Sequence, residues 1–245
     1  MAGDRIVRPD AEAVARGAAE AIALAISRAE GEFHLALAGG TTPKRTYELL
    51  AGLPVAWERV HLWFGDERCV PSDHVDSNYA MVRAALLERA PIAASHVHRM
   101  RAEDPDRDAA ARDYERDLPP ALDLLLLGLG PDGHTASLFP GSAALRETVR
   151  RVVAVVGPKP PPNRLTITPP VIAAARRVVV LATGAEKVGA VRLALTGDVD
   201  PFDCPARLLR DAEWHLDRAA ASELEESEAG STEKTASRRL PRESR

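Results

Sequence analysis

An aspartate and a histidine follow the most apolar run of the chain, in a turn that contains glycine. The stretch LDLLLLGLGPDGHTASLFPG covers residues 122–141 and presents Asp132, Gly133 and His134 after the leucines. A continuous apolar run is typical of a parallel strand buried on both faces, and ligands bind beyond the carboxyl ends of such strands. Because an unperturbed imidazole is largely neutral at pH 7 and accepts protons, we predict that His134 is a general base supported by Asp132. Gly133 permits the tight turn that lets both side chains enter one cleft.

The same turn also fits the spacing of a dinucleotide-binding loop. Gly128, Gly130 and Gly133 match G-x-G-x-x-G. That fingerprint requires an acidic residue about 20 positions further on, at the end of the next strand, and the next apolar run, RRVVAVVG, ends without one. Pro131 also lacks an N–H where backbone donors are needed. The pattern therefore disfavours a nicotinamide cofactor, and no G-x-S-x-G elbow supports a serine hydrolase.

Two other interpretations of Asp132 and His134 remain open from the residues alone. The pair could ligate a metal ion, with Asp66 or Glu67 completing the set, although the sequence lacks the dense histidine cluster typical of such sites. His134 could also be a structural residue of the turn. We expect no metal and no organic cofactor.

A second strand end, GGTTPK, has the composition of an anion site. Gly39 and Gly40 leave room for a ligand beside the backbone, and Thr41 adds a hydroxyl. A helix that begins with Thr41 or Thr42 as its cap would offer free N–H groups and the positive end of its dipole. The loop does not match the Walker pattern, so it does not indicate ATP. It fits a single phosphate group.

Further charged residues follow other predicted strands. The stretch GDER supplies Asp66, Glu67 and Arg68. The arginine can bind a phosphate group with two parallel hydrogen bonds. Each carboxylate can either take part in acid–base chemistry or hold Arg68 in place. Asn78, at the start of a helix, can cap it or bind a substrate hydroxyl. Lys187 in ATGAEK stands in a first helical turn, where a cation suggests an anionic partner. Arg164 in NRLTIT is a weaker candidate.

Apolar runs that end in glycine alternate with helical patterns along the chain. The long helical pattern begins near Asp10, a plausible N-cap. FHLALAGG, VHLWFGDE, LDLLLLGLG, VRRVVAVVG, RLTITPPVI and RRVVVLATG are typical of strands. The alternation predicts an α/β fold with a mostly parallel central sheet flanked by helices, a Rossmann-like open sheet. We predict one domain over residues 1–221 and a disordered polar tail over residues 222–245, which has no aromatic or β-branched aliphatic residue.

Composition limits the location and partners of the protein. A net charge of −4 provides no global basic field for nucleic acid or anionic lipid. Cys69 and Cys204 are the only cysteines, too few for a disulfide framework, and no apolar run approaches the length of a membrane span. We expect a cytoplasmic protein, a monomer or weak homodimer, with a small-molecule substrate and no nucleic-acid or membrane partner.

Taken together, the motifs resemble the glucosamine-6-phosphate isomerase/6-phosphogluconolactonase family. The resemblance covers roughly residues 6–221 and is carried by LALAGGTTPK, FGDERCVPSDHVDSNY, LLLLGLGPDGHTASLFPG, the P-x-x-R-x-T-x-T stretch at residues 161–168 and ATGAEK, in that order. It implies hydrolysis of 6-phospho-D-glucono-1,5-lactone to 6-phospho-D-gluconate, a step of the oxidative pentose phosphate pathway. It also implies that His134 activates water, assisted by Asp132. The implied phosphate and oxyanion pocket comprises Gly39, Gly40, Thr41, Arg68, Arg164 and Lys187. Asn78 is implied to contact sugar hydroxyls, and Asp66 and Gly133 are further candidates for substrate binding.

Two alternatives to the lactonase keep the same fold. The isomerase/deaminase relatives carry an acidic residue shortly after the D-G-H turn, where this sequence has Ser137-Leu138-Phe139-Pro140. Losing that carboxylate disfavours proton transfer between neighbouring carbons, although Asp66 keeps the reaction conceivable. A non-catalytic sugar-phosphate sensor is disfavoured because no helix-turn-helix segment precedes the domain.

Overall fold

The centre of the molecule is a parallel six-stranded sheet. The structure is a computed structural model that describes residues 3–224. Within that range the strands are β1 (Arg5–Arg8), β2 (Phe33–Leu37), β3 (Val60–Phe64), β4 (Asp66–Arg68), β5 (Leu124–Gly128), β6 (Val152–Val156), β7 (Asn163–Ile167), β8 (Val178–Ala182) and β9 (Glu213–Asp217). The six-stranded sheet has the order β1-β9-β8-β5-β2-β3, and all of its pairings are parallel. The predicted fold class is confirmed.

Helices cover both faces of this sheet. They are α1 (Ala11–Arg28), α2 (Thr41–Leu50), α3 (Asn78–Val82), α4 (Arg107–Asp117), α5 (Pro169–Ala174) and α6 (Val188–Leu195). The predicted N-cap of α1 is present, since the Asp10 carboxylate accepts a hydrogen bond from Ala13 N at 2.8 Å. No helix of the described residues 3–224 is long and apolar enough to cross a membrane.

Strand β5 lies between two separate apolar cores, as its continuous leucine run predicts. Leu124 and Leu126 pack with α1 and α2 on one face. Leu125 and Leu127 pack with α4 and α6 on the other. All four are fully buried, and such double coverage holds the turn after the strand on a rigid base.

A second, antiparallel sheet was not predicted and corrects two assignments. Its order is β4-β7-β6. VHLWFGDE is not one strand, because the chain leaves the parallel sheet at Gly65 and Asp66–Arg68 pairs with β7 instead. RLTITPPVI is not wholly extended either, because the strand ends at Ile167 and α5 begins at Pro169. A proline in the first helical turn loses no hydrogen bond and has a φ suited to the helix.

The end of the described chain is helical. Residues 218–224 form a helix, and Leu224 is buried in the core, so the predicted polar tail starts no earlier than residue 225. The remainder of that predicted tail lies outside the described residues.

Four histidines cluster at the edge strand β3, away from the glycine turns. We call His34, His61, His96 and His98 the histidine cluster. His61 Nδ1 lies 2.9 Å from His98 Nε2, and the His61 ring stacks on His96 with centroids 4.1 Å apart. Burial, together with the charges of neighbouring histidines, lowers the pKa of both His61 and His98 below the ordinary value. Glu32 lies 3.7 Å from His61 Nε2, and its negative charge offsets only part of the lowering of the His61 pKa.

Acid is therefore expected to destabilise the fold through this cluster. A histidine whose folded pKa is depressed contributes stability above its unfolded pKa, about 6.5, and that stability is lost as pH falls through the folded value. The free energy of unfolding, measured by urea titration between pH 7.5 and 5, should decrease toward low pH, and His98→Gln should flatten the decrease. His74→Gln, at an exposed histidine, is the control. An unchanged slope in His98→Gln would show that the cluster does not carry the effect.

Candidate active site

One cleft collects the carboxyl ends of four neighbouring strands. The order β8-β5-β2-β3 places their following loops side by side, and β4 and β7 of the second sheet close one side. The cleft has a volume of about 260 Å³. Its polar and glycine lining comprises Gly39, Gly40, Thr41, Thr42, Asp66, Arg68, Gly128, Gly130, His134, Arg164, Thr183, Glu186 and Lys187. Most of the predicted site residues therefore share this space. Of the others, Asp132 contacts His134, Gly133 lies between those two residues in the turn, and Asn78 contacts Asp66.

Asp132 and His134 form a hydrogen-bonded pair at the end of β5. Asp132 Oδ1 lies 2.5 Å from His134 Nδ1. Burial raises the pKa of the Asp132 carboxyl, but the charge of His134 and its hydrogen bond outweigh burial and lower the pKa below its ordinary value. An ionised carboxylate accepts hydrogen bonds only, so Nδ1 carries the proton and Nε2 of a neutral imidazole keeps its lone pair. The free Nε2 is the atom that can accept a proton in the cleft.

The turn that holds this pair depends on two glycines. Gly133 has φ +82°, a conformation that suits glycine. Gly130 lies against the pair itself, because a Cβ there would be 2.0 Å from His134 Nδ1 and 2.6 Å from Asp132 Oδ1. The turn closes on itself through Gly130 N to His134 O at 2.8 Å and Gly133 N to Gly130 O at 3.0 Å. Two N–H groups of the turn are thus used internally, and no α-helix follows within residues 131–142, so the helix N-terminus that binds the pyrophosphate in a dinucleotide site is not present there.

The start of α2 faces the cleft from the neighbouring loop. Gly40 is the N-cap residue, and no side chain caps this helix, so the predicted threonine cap is wrong. The first N–H groups of an α-helix have no partner within it, which leaves those of Thr41 and Thr42 for an anion. Thr42 Oγ1 also lies 2.7 Å from Thr183 Oγ1, which ties this loop to the loop after β8.

Two arginines face each other across the second sheet. Arg68 on β4 is directly opposite Arg164 on β7 in the strand register, and both line the cleft. Burial and then the like charge of Arg68 lower the pKa of Arg164. Arg68 Nη1 donates to Asp76 O at 2.8 Å, while Nε is buried without a hydrogen-bond partner. Like charges directly opposite destabilise a sheet, so this pair favours an anion between the two guanidinium groups.

Lys187 brings a third cation to the cleft from the loop after β8. Its Nζ lies 3.9 Å from Glu186 Oε1. Burial lowers the pKa of the ammonium group, and the charges of Glu186 and Asp132 act against that effect. Lys187 and His134 both line the cleft.

Asp66 and Asn78 belong to a buried polar network behind the arginines. Asn78 Nδ2 donates to Asp66 O at 2.9 Å and Oδ1 at 3.0 Å. Ser137 Oγ donates to Asp66 Oδ2 at 2.6 Å. The Asn78 side chain packs against Gly39, and Ser77 rather than Asn78 caps α3. The Asn78 amide N–H groups are therefore engaged with Asp66, which they hold at the cleft wall.

Glu67 holds the structure of the adjoining loop. Its carboxylate accepts hydrogen bonds from Arg68 N, Ser77 Oγ, Asn78 N and Tyr79 N, at 2.7–3.0 Å. Burial raises the pKa of Glu67, although the three backbone N–H donors oppose the rise. Of the two roles left open by the sequence, the holding role fits these contacts. Among the described residues, no group of three or more histidine, cysteine, aspartate or glutamate side chains is arranged to hold a metal ion.

Two site residues, Thr183 and Gly130, escaped sequence reasoning. The sequence places Thr42 in the anion-binding loop, but nothing in it indicates that its hydroxyl meets that of Thr183, 141 residues away. The sequence marks Gly130 only as part of the G-x-G-x-x-G pattern of a dinucleotide-binding loop. It does show that Gly130 lies two residues before Asp132 and four before His134. In so short a turn the two side chains can pack against the backbone of residue 130 only if that residue has no side chain.

Comparison with known proteins agrees with this architecture. The family model described as glucosamine-6-phosphate isomerases/6-phosphogluconolactonase matches residues 9–217. A 6-phosphogluconolactonase of Synechocystis is 43% identical over 209 residues, with 79% of this chain and 85% of the relative covered. The solved structure of 6-phosphogluconolactonase from Trypanosoma cruzi superposes with a TM-score of 0.81 at 31% identity and covers 91% of this chain and 97% of that one. A monomeric glucosamine-6-phosphate deaminase gives a TM-score of 0.79 at 25% identity, covering 89% and 99%.

The fold is thus an α/β sheet whose strand ends bring the hydrogen-bonded Asp132–His134 pair together with two arginines and a lysine. The chain belongs to the glucosamine-6-phosphate isomerase/6-phosphogluconolactonase family, as the motif order predicted.

Proposed function

We propose that the protein hydrolyses 6-phospho-D-glucono-1,5-lactone to 6-phospho-D-gluconate. The observation that carries this proposal is the occurrence of the His134–Asp132 pair in the same cleft as the opposed Arg68 and Arg164 and the uncapped start of α2. A base that faces water and a cationic pocket are what a phosphorylated ester requires. The names of the relatives support the same activity.

In the proposed reaction, His134 Nε2 takes a proton from a water molecule as the water oxygen attacks the lactone carbonyl carbon. Asp132 accepts the Nδ1–H and stabilises the imidazolium that forms. When the tetrahedral intermediate collapses, the bond from the carbonyl carbon to the ring oxygen breaks, and the imidazolium returns its proton to that oxygen. The product is the open-chain acid, and no covalent intermediate with the protein is needed because the lactone is a reactive ester.

We assign the cations to two ends of the substrate. Lys187 lines the same cleft as His134, and we assign it to the charge that develops at the lactone carbonyl. Arg68 and Arg164, with the N–H groups of Thr41 and Thr42, form the remainder of the anion-binding surface and bind the phosphate. Asp66, fixed by Asn78 and Ser137, lies at the wall where sugar hydroxyls pass.

Replacement of Gly130 by alanine should disable the site without removing a charged or titratable group. The added Cβ would overlap the His134 ring, so the pair must separate or turn away, and kcat should fall about 10²-fold, the scale of losing a general base. Gly189→Ala is the matched control, since its Cβ meets nothing within 4 Å. A folded Gly130→Ala variant with normal turnover would remove the pair from the mechanism.

The related deaminase reaction is the second candidate, supported by the likeness to the deaminase structure. Against it, the position after the D-G-H turn holds Ser137, which donates to Asp66, so the cleft lacks a separate carboxylate there. Purified protein should open the phosphorylated lactone in a pH-stat assay and release no ammonia from glucosamine 6-phosphate. Ammonia release without lactone opening would reverse the assignment.

A further inference from the structure

Two buried tyrosine hydroxyls each bind the backbone of one residue at a strand end. Tyr47 Oη accepts a hydrogen bond from Ala38 N at 2.8 Å and donates to Ala38 O at 2.9 Å. Tyr114 Oη accepts from Phe64 N at 2.7 Å and donates to Phe64 O at 3.1 Å. Both rings are buried in the apolar cores. One oxygen in each case satisfies both polar groups of a single residue.

The two backbone positions lie where the sheet no longer provides partners. Ala38 follows Leu37, the last residue of β2, and the pairing of β2 with β5 covers only Leu35 and Ala36. Phe64 is the last residue of β3, which forms the edge of the six-stranded sheet. Buried N–H and C=O groups without partners are costly. A hydroxyl is well suited to replace the missing strand because it both donates and accepts.

Ala38 and Phe64 each precede a segment of the chain that lines the cleft. Gly39 and Gly40 follow Ala38 directly, and Asp66 comes two residues after Phe64. Tyr47 itself belongs to α2, so its hydroxyl fixes the distance between the end of β2 and the helix whose start faces the cleft.

The two tyrosines act from opposite faces of the sheet. Tyr47 lies in the core that includes α1 and α2, and Tyr114, on α4, lies in the other core. Burial raises the pKa of both hydroxyls well above the ordinary value, although their hydrogen bonds to Ala38 and Phe64 oppose the rise. Both therefore remain protonated donors over the whole range in which the protein can be assayed.

We propose that Tyr47 and Tyr114 are positioning residues that hold residues 39–42 and strand β4 at the spacing needed to bind the phosphate of the substrate. This inference rests on the proposed function. The acid–base turn after β5 is built separately, through its own glycines and its own hydrogen bonds. Loss of either hydroxyl should consequently affect substrate binding more than the chemical step.

The test compares Tyr47→Phe and Tyr114→Phe with Tyr79→Phe. Tyr79 is the remaining tyrosine of the chain, and its hydroxyl forms no hydrogen bond within residues 3–224. KM for the phosphorylated lactone should rise about tenfold in the first two variants, with kcat changed much less, and both values should stay at wild-type level in the control. Assays are run well below each variant's Tm, since a purely structural role would lower Tm and leave KM unchanged. KM within twofold of wild type in the folded variants would overturn the proposal.

Binding of inorganic phosphate by calorimetry separates this proposal from the proposed function. Weaker phosphate binding in the phenylalanine variants supports the positioning role even if the wild-type protein opens no lactone. A wild-type protein that opens no lactone would contradict only the proposed function. Wild-type phosphate affinity in the variants overturns positioning even if lactone turnover is established. Should Tyr47→Phe fail to fold, Tyr114→Phe decides the question by the same two measurements.

Discussion

Replacement of His134 by alanine is expected to lower kcat for the phosphorylated lactone by about 10²- to 10⁴-fold. The variant loses the imidazole that lines the cleft, and no other histidine of the described residues lines that space. KM should change little, because the cations and the start of α2 remain. Steady-state kinetics with the spontaneous opening of the lactone subtracted measures both values.

Asp132→Asn refines the same experiment. An amide can present its N–H to Nδ1 instead of accepting from it, which favours the imidazole tautomer with the proton on Nε2 and blocks proton transfer from water. We expect a loss in kcat approaching that of His134→Ala. Asp211→Asn, at an exposed aspartate, is the matched control. Full activity of Asp132→Asn would mean that the 2.5 Å contact does not set the tautomer.

Arg68→Gln should produce the second large effect, a selective loss on the phosphorylated substrate. Charge-assisted hydrogen bonds contribute roughly 1.5–3 kcal/mol each, so kcat/KM for the phosphorylated lactone should fall about 10- to 100-fold. Opening of the phosphate-free lactone should be unaffected. Removal of one of two opposed like charges should also leave the unliganded protein at least as stable as wild type.

Arg112→Gln on α4 is the control for this charge removal, since Arg112 is exposed and pairs with Asp108. Equal losses on both lactones in Arg68→Gln would contradict the assignment of Arg68 to the phosphate. A clear drop in Tm of unliganded Arg68→Gln would show that the Asp76 contact outweighs the repulsion from Arg164.

Local sequence patterns were sufficient for the parallel core of this fold. The leucine run of β5 is buried on both faces because each side chain meets one of two cores, a situation in which composition alone indicates the structure. The Asp10 cap was equally predictable, because its hydrogen bond spans three residues. In both cases the determining contacts lie close in sequence or in one continuous run.

The second sheet escaped prediction because one of its strands is very short and its strands pair with residues that are distant in sequence. Strand β4 has three residues and pairs with residues near position 165, so no periodicity marks it. The same distance hides the opposition of Arg68 and Arg164. The sequence identified each as a possible anion ligand, whereas only the antiparallel register reveals that their charges repel and that an anion between them would relieve the repulsion.

Glu67 illustrates a residue whose type alone leaves its role undecided. The sequence allowed either acid–base work or a structural role. Its carboxylate accepts hydrogen bonds from Ser77, Asn78 and Tyr79 at the start of α3 and from the N–H of Arg68. The first three donors lie 10–12 residues away in sequence, so the residue type alone does not indicate them. Asp66, its neighbour, lines the cleft instead because successive side chains of a strand point to opposite faces.

The ratio of wild-type kcat/KM for 6-phospho-D-glucono-1,5-lactone to that for unphosphorylated D-glucono-1,5-lactone tests the account most directly. In the proposed mechanism the same base and water serve both substrates, so the ratio isolates what the cations of the cleft contribute. Two or more charge-assisted contacts to the phosphate predict a preference of about 10²-fold or more for the phosphorylated lactone, with inorganic phosphate acting as a competitive inhibitor. Equal values for the two lactones would contradict the claim that this cleft binds a sugar phosphate beside its catalytic histidine.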